Sequence, residues 1–129
     1  MRTMTARTER RRSRRYRPPG GFRPELRRTG WRGLLDANLC AACLNLSEGG
    51  VRVLLTRPLE EGGTLRGRFD GVEVELRARY AVPAAKDGRW EAGLVFVSPD
   101  PAFRQWLRGF LIRCSPILAD GRDAWGAAR

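Results

Sequence analysis

Apolar and polar positions alternate most clearly between Val72 and Val82. Val72, Val74, Leu76, Ala78, Tyr80 and Val82 fall on one side, and Glu73, Glu75, Arg77 and Arg79 on the other. A period of two predicts a half-buried strand. The same period recurs at Val51, Val53 and Leu55 and again at Trp90, Ala92, Leu94 and Phe96, which predicts two further strands. Asp70-Gly71 separates Leu65–Phe69 from the Val72 strand, a two-residue hairpin signal in which both turn residues tolerate positive φ. A first strand is expected near Phe22–Arg28, closed by Thr29-Gly30, and an inner strand across the apolar, small-residue stretch Leu34–Leu46. Pro58–Gly63 and Ala84–Arg89 read as loops.

After Val97 the period changes. Asp100-Pro101 supplies an N-cap and a first-turn proline. Phe103, Trp106, Leu107, Phe110 and Leu111 then repeat at helical spacing. Arg113 at the far end suits the helix dipole. One apolar stripe predicts a helix packed over an open end of a sheet. Several short antiparallel strands followed by one helix suggest a small β-barrel with a helical lid, although strand order does not follow from periodicity. A chain of 129 residues with 42% apolar content fits one such domain.

Charge divides the chain differently. Twelve of its 25 basic residues lie within residues 1–32, with only two of its 14 acidic ones, so the net +11 gathers at one end. Of the basic residues all but Lys86 are arginine, a bias that explains the choice of arginine but not its clustering. Residues 1–21 hold almost nothing that buries a core and end in Pro18-Pro19-Gly20-Gly21, so they read as a flexible basic arm. Residues 22–113 form the predicted domain, and residues 114–129 a loose tail. A like-charge block of this kind is solvated and meets anions.

Several function classes fall away. No stretch approaches the roughly 20 apolar residues of a membrane span, and no apolar run follows the basic start as in a secretory signal. Three cysteines, an odd number without an export signal, imply a reduced, cytoplasmic protein. Zinc wants four ligands and the chain has no histidine, so Cys40-x-x-Cys43 reads as strand packing; no metal or cofactor is expected. Without histidine, a Gly-x-Ser-x-Gly elbow or a phosphate-cradling Walker loop, an enzyme is not expected.

Two short motifs carry the chemistry. Glu9-Arg10-Arg11-Arg12-Ser13-Arg14-Arg15-Tyr16 contains R-x-x-x-R at Arg11 and Arg15. Asn45-Leu46-Ser47-Glu48-Gly49-Gly50 reads N-x-S-x-x-G and separates two apolar strands. A guanidinium fork matches guanine O6 and N7 together, at roughly 1–3 kcal/mol per bidentate contact, and its plane also stacks on a base. Asn45 offers a carbonyl to guanine N1 and N2, Ser47 a short-range donor and acceptor. Gly50 is expected to turn at positive φ and to leave room for a ligand. Neither motif is specific alone: arginine pairs abound in this arm, and Asn-x-Ser-x-x-Gly also describes an ordinary turn.

Their order and separation, with "GLVFV" at Gly93–Val97 before the amphipathic helix, make the chain resemble the PilZ domain family over residues 9 to about 112. That resemblance implies a six-stranded antiparallel barrel with a C-terminal helix, binding cyclic di-GMP on its outer face. Arg11 and Arg15 match the arginine motif, Arg10 precedes it, and Asn45, Ser47 and Gly50 match the second motif. Asn45 stands where Asp is commoner, and the Arg15-to-Asn45 separation is slightly long for the family. The resemblance also implies an arm that orders on the ligand and signals to a separate downstream protein, of the motility or exopolysaccharide machinery. Two other readings stand beside it: a ligand-free PilZ adaptor, and a nucleic-acid binder working through the arm. DNA is not an expected partner, because residues 33–129 are nearly neutral and carry no row of exposed aromatic residues.

Overall fold

The computed structural model describes residues 14–84 and 88–117. Its elements run β1 (Tyr16–Arg17), β2 (Glu25–Arg28), a 3₁₀ segment (Gly30–Leu35), β3 (Cys40–Leu46), β4 (Gly50–Leu55), β5 (Thr64–Phe69), β6 (Val72–Pro83), β7 (Trp90–Val97), α1 (Pro101–Ile112) and β8 (Ser115–Pro116). All strands belong to one antiparallel eight-stranded sheet, ordered β2-β5-β6-β7-β4-β3-β1-β8.

The expected six-stranded closed barrel is therefore corrected. The strands from β2 to β3 in that order curl until their ends meet, but no ladder joins them. One main-chain bond spans the seam, from Leu39 N to Leu26 O at 2.9 Å. Asn38 bridges the rest: its Oδ1 accepts from Leu26 N and Cys40 N, both at 2.9 Å. A side-chain amide thus satisfies backbone donors that a closed ladder would have paired. Strands β1 and β8 extend the sheet beyond β3, so Ser115–Pro116, expected within a loose tail, pair with Tyr16–Arg17.

The alternation forecast holds along β4 and β7, whose inward residues Val51, Val53, Leu55, Ala92, Leu94 and Phe96 are buried, and β5 likewise buries Leu65 and Phe69. Asp70 and Gly71 take φ of 50° and 83°, the geometry of the two-residue hairpin joining β5 to β6. Helix α1 begins where expected, with Phe103 N donating to Asp100 Oδ1 at 2.9 Å. Phe103, Leu107, Phe110 and Leu111 are buried. They close the core with an aromatic cluster in which Phe69 meets Phe96 and Phe103 edge-on at 5.9 and 5.5 Å. Phe22, after the Pro18–Gly21 stretch, packs its ring 4.6 Å from that of Phe110 and so fastens the incoming chain beneath the helix.

Three departures from strict alternation matter for the site. Register shifts in β3 between Cys40 and Ala42 and between Cys43 and Asn45 leave Cys40, Cys43 and Leu46 opposite inward residues of β4, and Ala42 and Asn45 opposite outward ones. A third shift in β6, between Ala78 and Tyr80, turns Ala81 inward. Tyr80 and Val82 are thereby exposed on the outer face rather than aligned with Val72–Ala78. Finally, Leu34 and Leu35, expected in an inner strand, lie in the 3₁₀ segment and face solvent.

Candidate functional site

Arg15 of the first sequence motif meets the second motif on the outer face of the sheet. Strand β1 places Arg15, because Tyr16 pairs with Leu46 on one side and with Pro116 on the other, and Ile117 N donates to Arg15 O at 2.9 Å. From there the exposed Arg15 side chain donates through Nη1 to Asn45 Oδ1 at 3.0 Å, across thirty residues of sequence. Asn45 itself is only 6% exposed. Its carbonyl, expected to face a guanine, is here the rest for an arginine.

The corner after Asn45 is held by Ser47. Its backbone N donates to Gly50 O at 2.9 Å, and its Oγ accepts from Gly49 N at 3.3 Å and donates to Gly50 O at 3.5 Å. The hydroxyl is buried, so it shapes the bend. Gly50 corrects an expectation. Among the described residues positive φ falls on other glycines, not on Gly50. Glycine is needed there because any Cβ would overlap the Leu94 carbonyl oxygen where β4 approaches β7.

Below the corner lies a depression of about 420 Å³, lined by Arg15, Ser47, Gly50, Arg52, Arg79 and Tyr80 among others. Its floor is the outer side of β4, β6 and β7. Arg52 and Gly93 are partners in the β4–β7 register, and Gly93 and Tyr80 in the β6–β7 register. The Tyr80 ring lies against Gly93, where a Cβ would collide with its Cε2. Glu91 Oε2 accepts from Arg52 Nε at 2.7 Å and from the Tyr80 hydroxyl at 3.1 Å. Burial, and then the bond to Glu91, push the Tyr80 phenol above its ordinary pKa, so it remains a neutral donor. A second depression of about 430 Å³ shares Arg52 and is lined by Asn45, Arg17 and Arg23. The Arg15–Asn45 bond thus runs from one depression to the other.

Of the residues expected from the sequence, Arg15, Asn45, Ser47 and Gly50 are together, and Arg10 and Arg11 lie outside the described residues. Sequence reading missed Arg52, Arg79, Tyr80 and Glu91. The alternation of Arg52 with Val51 and Val53 already pointed its side chain outward. Tyr80 carried no such signal, because a strict period of two put it inside.

Cys43 borders the second depression, but no cysteine brings reactive chemistry to it. Burial raises the Cys40 thiol to about 12 and the Cys114 thiol to about 11, and raises that of Cys43 as well, so all three are inert, protonated packing groups. Among the described residues no three His, Cys, Asp or Glu side chains are grouped to hold a metal, and no helix is long and apolar enough to cross a membrane.

An outer-face arginine beside an Asn-x-Ser-x-x-Gly bend, on a curled antiparallel sheet capped by one helix, defines a class of small β-rich modules. The PilZ domain model matches residues 9–113, and the chain belongs to that family. No curated relative matches it. Two solved structures share the fold. One is the Bacillus subtilis inhibitor of motility, MotI/DgrA, at 18% identity and a TM-score of 0.56, with 77% of this chain and 48% of that chain covered. The other is MrkH, a c-di-GMP-dependent transcription regulatory factor, at 12% identity and a TM-score of 0.54, with the same 77% and 48% covered. The chain spans about half the length of each.

Proposed function

We propose that this protein is a cyclic di-GMP receptor that holds the dinucleotide on the outer face of β4, β6 and β7. The carrying observation is the 3.0 Å contact between Arg15 and Asn45, which joins the two family motifs at the lip of the depression. Depressions of about 420 and 430 Å³ on either side of that contact lie within the usual range for small-molecule sites. Arg15, Arg17, Arg23, Arg52 and Arg79 line them, and Glu91, which hydrogen-bonds Arg52, offsets only one of those charges. A doubly anionic purine dinucleotide fits such a surface. Arg10 and Arg11 are proposed to join Arg15 on the ligand, with Asn45, Ser47 and Gly50 forming the bend against which it rests.

The proposed switch is a competition. A guanine that takes the Asn45 carbonyl, or a phosphate that takes the Arg15 guanidinium, breaks their mutual bond and repositions the arginine stretch. The ligand shifts the equilibrium by its preference for the released state. That change is read by a separate protein in the cytoplasm. The protein acts by binding, without chemistry at the site.

Calorimetry on the purified chain tests this. Cyclic di-GMP is expected to bind, GTP and a random oligonucleotide far more weakly, and Arg15→Ala to lose roughly ten- to hundredfold, following the bidentate estimate. Absence of binding by the unmutated chain overturns the receptor reading. Oligonucleotide binding that is equally tight and collapses with salt would instead assign the basic surface to nucleic acid.

A further inference from the structure

The 3₁₀ segment Gly30–Leu35 presents Trp31, Leu34 and Leu35 to solvent, 69%, 86% and 75% exposed. One exposed leucine is ordinary, but three large apolar side chains within five residues make a patch. The backbone beneath them is fixed. Gly33 is buried so closely under β2 that a Cβ would overlap the Arg28 carbonyl oxygen. Asp36 locks the far end: its carboxylate accepts from Arg28 N at 2.9 Å and Arg28 Nη2 at 2.7 Å, and its own N donates to Gly33 O. Thr29 and Thr64 hydroxyls meet at 2.9 Å at the near end. The apolar groups stand out because a buttressed backbone holds them there. A preorganised aromatic anchor loses little freedom on binding, the property that concentrates affinity at interface hot spots.

Beside this ridge runs a groove of about 190 Å³ lined by Thr29, Gly33, Leu34, Arg66, Arg68 and Glu73. Around ridge and groove stand Arg27, Arg28, Arg32, Arg66 and Arg68, against Glu25, Glu73 and the buried Asp36. The rim is net cationic. The groove shares no lining residue with the depression under Arg15.

From this geometry we infer that the Trp31–Leu35 ridge and its groove dock a partner protein through a segment whose apolar side chains are flanked by carboxylates. A ridge alone would suit a lipid surface; a flat bilayer leaves the adjoining groove unfilled, whereas an extended or helical segment occupies both. The carboxylates answer the arginine rim and set the salt dependence of the encounter.

Panning a displayed library of random peptides on the full-length chain tests this without the nucleotide. Selected peptides are expected to combine apolar residues with Asp or Glu, and to bind Trp31→Ala and Leu34→Ala at least tenfold more weakly. Arg68→Glu is expected to weaken them too, while all three variants keep their circular dichroism spectra and thermal midpoints. Peptides without acidic enrichment, or peptides indifferent to Trp31, overturn the inference. So does tight binding to phosphatidylglycerol vesicles that Trp31→Ala abolishes, or self-association by sedimentation that the same variant abolishes. These outcomes are independent of whether cyclic di-GMP binds.

Discussion

Arg15 and Asn45, thirty residues apart in sequence, meet side chain to side chain at 3.0 Å, and the arginine is the exposed partner while the asparagine is buried. The buried member is part of the sheet; the exposed one hangs from a two-residue strand. A contact of this form is a latch: rigid on one side, releasable on the other.

The latch predicts non-additivity. Arg15→Ala and Asn45→Ala should each weaken cyclic di-GMP binding, the first more than the second. Combined, they should lose less than the sum, by roughly 0.5–3 kcal/mol, because each single variant already breaks the shared bond. A double-mutant cycle by calorimetry measures this. Strict additivity would show that the two side chains act on the ligand independently.

Gly50 is predicted to be a folding residue as much as a site residue. A methyl group there drives into the Leu94 carbonyl, and backbone cannot step aside as a flexible side chain does. Gly50→Ala should therefore lower stability by roughly 1–3 kcal/mol, the usual cost of overpacking. Urea denaturation checks it. Gly93→Ala meets the Tyr80 ring first, a side chain that can yield by giving up its bond to Glu91, so it should cost less stability than Gly50→Ala.

Much of this architecture was legible in the chain. Val51, Val53 and Leu55, the Asp70-Gly71 hairpin, Trp90–Val97 and the Asp100-capped helix all followed from period and local chemistry. What escaped was set by partners distant in sequence. The shifts in β3 and β6 arise from pairing with β4 and β7, so the outward turn of Tyr80 is written in no local pattern. Strands β1 and β8, two residues each, are too short for a period to show. Leu34 and Leu35 read as core because apolar residues usually are; Gly30 at φ 77° and the buried Gly33 diverted them to the surface. At the candidate site, the motif residues Arg15, Asn45, Ser47 and Gly50 lie near one another, but the reason for Gly50 and the resting partner of Asn45 needed the fold.

Strong acid should weaken the anchoring of the ridge at Asp36. The hydrogen-bonded Arg28 guanidinium holds the Asp36 carboxyl below its ordinary pKa, burial opposing it. A depressed folded pKa means a contribution fully present above the unfolded value of about 3.9 and lost as pH falls through the lower folded one. Denaturation midpoints of the unmutated chain should thus fall below roughly pH 4, and Asp36→Asn, already weakened at neutral pH, should lose less over that range. Equal pH dependence in both proteins would remove Asp36 from this role.

Tyr80 supplies the last prediction. Its ring packs against Gly93, is 37% exposed, and is held at its hydroxyl by Glu91, so it offers an aromatic surface in the arginine-lined depression. A purine base can stack on such a ring, at roughly 1–3 kcal/mol per stacked base. Tyr80→Ala should therefore weaken cyclic di-GMP binding about tenfold or more, while Tyr80→Phe, which keeps the ring and loses only the bond to Glu91, should stay close to the unmutated chain. If both variants bind as tightly as the unmutated chain, the ring is not the platform; if Phe is weakened as much as Ala, the Glu91 hydrogen bond rather than stacking positions the ligand.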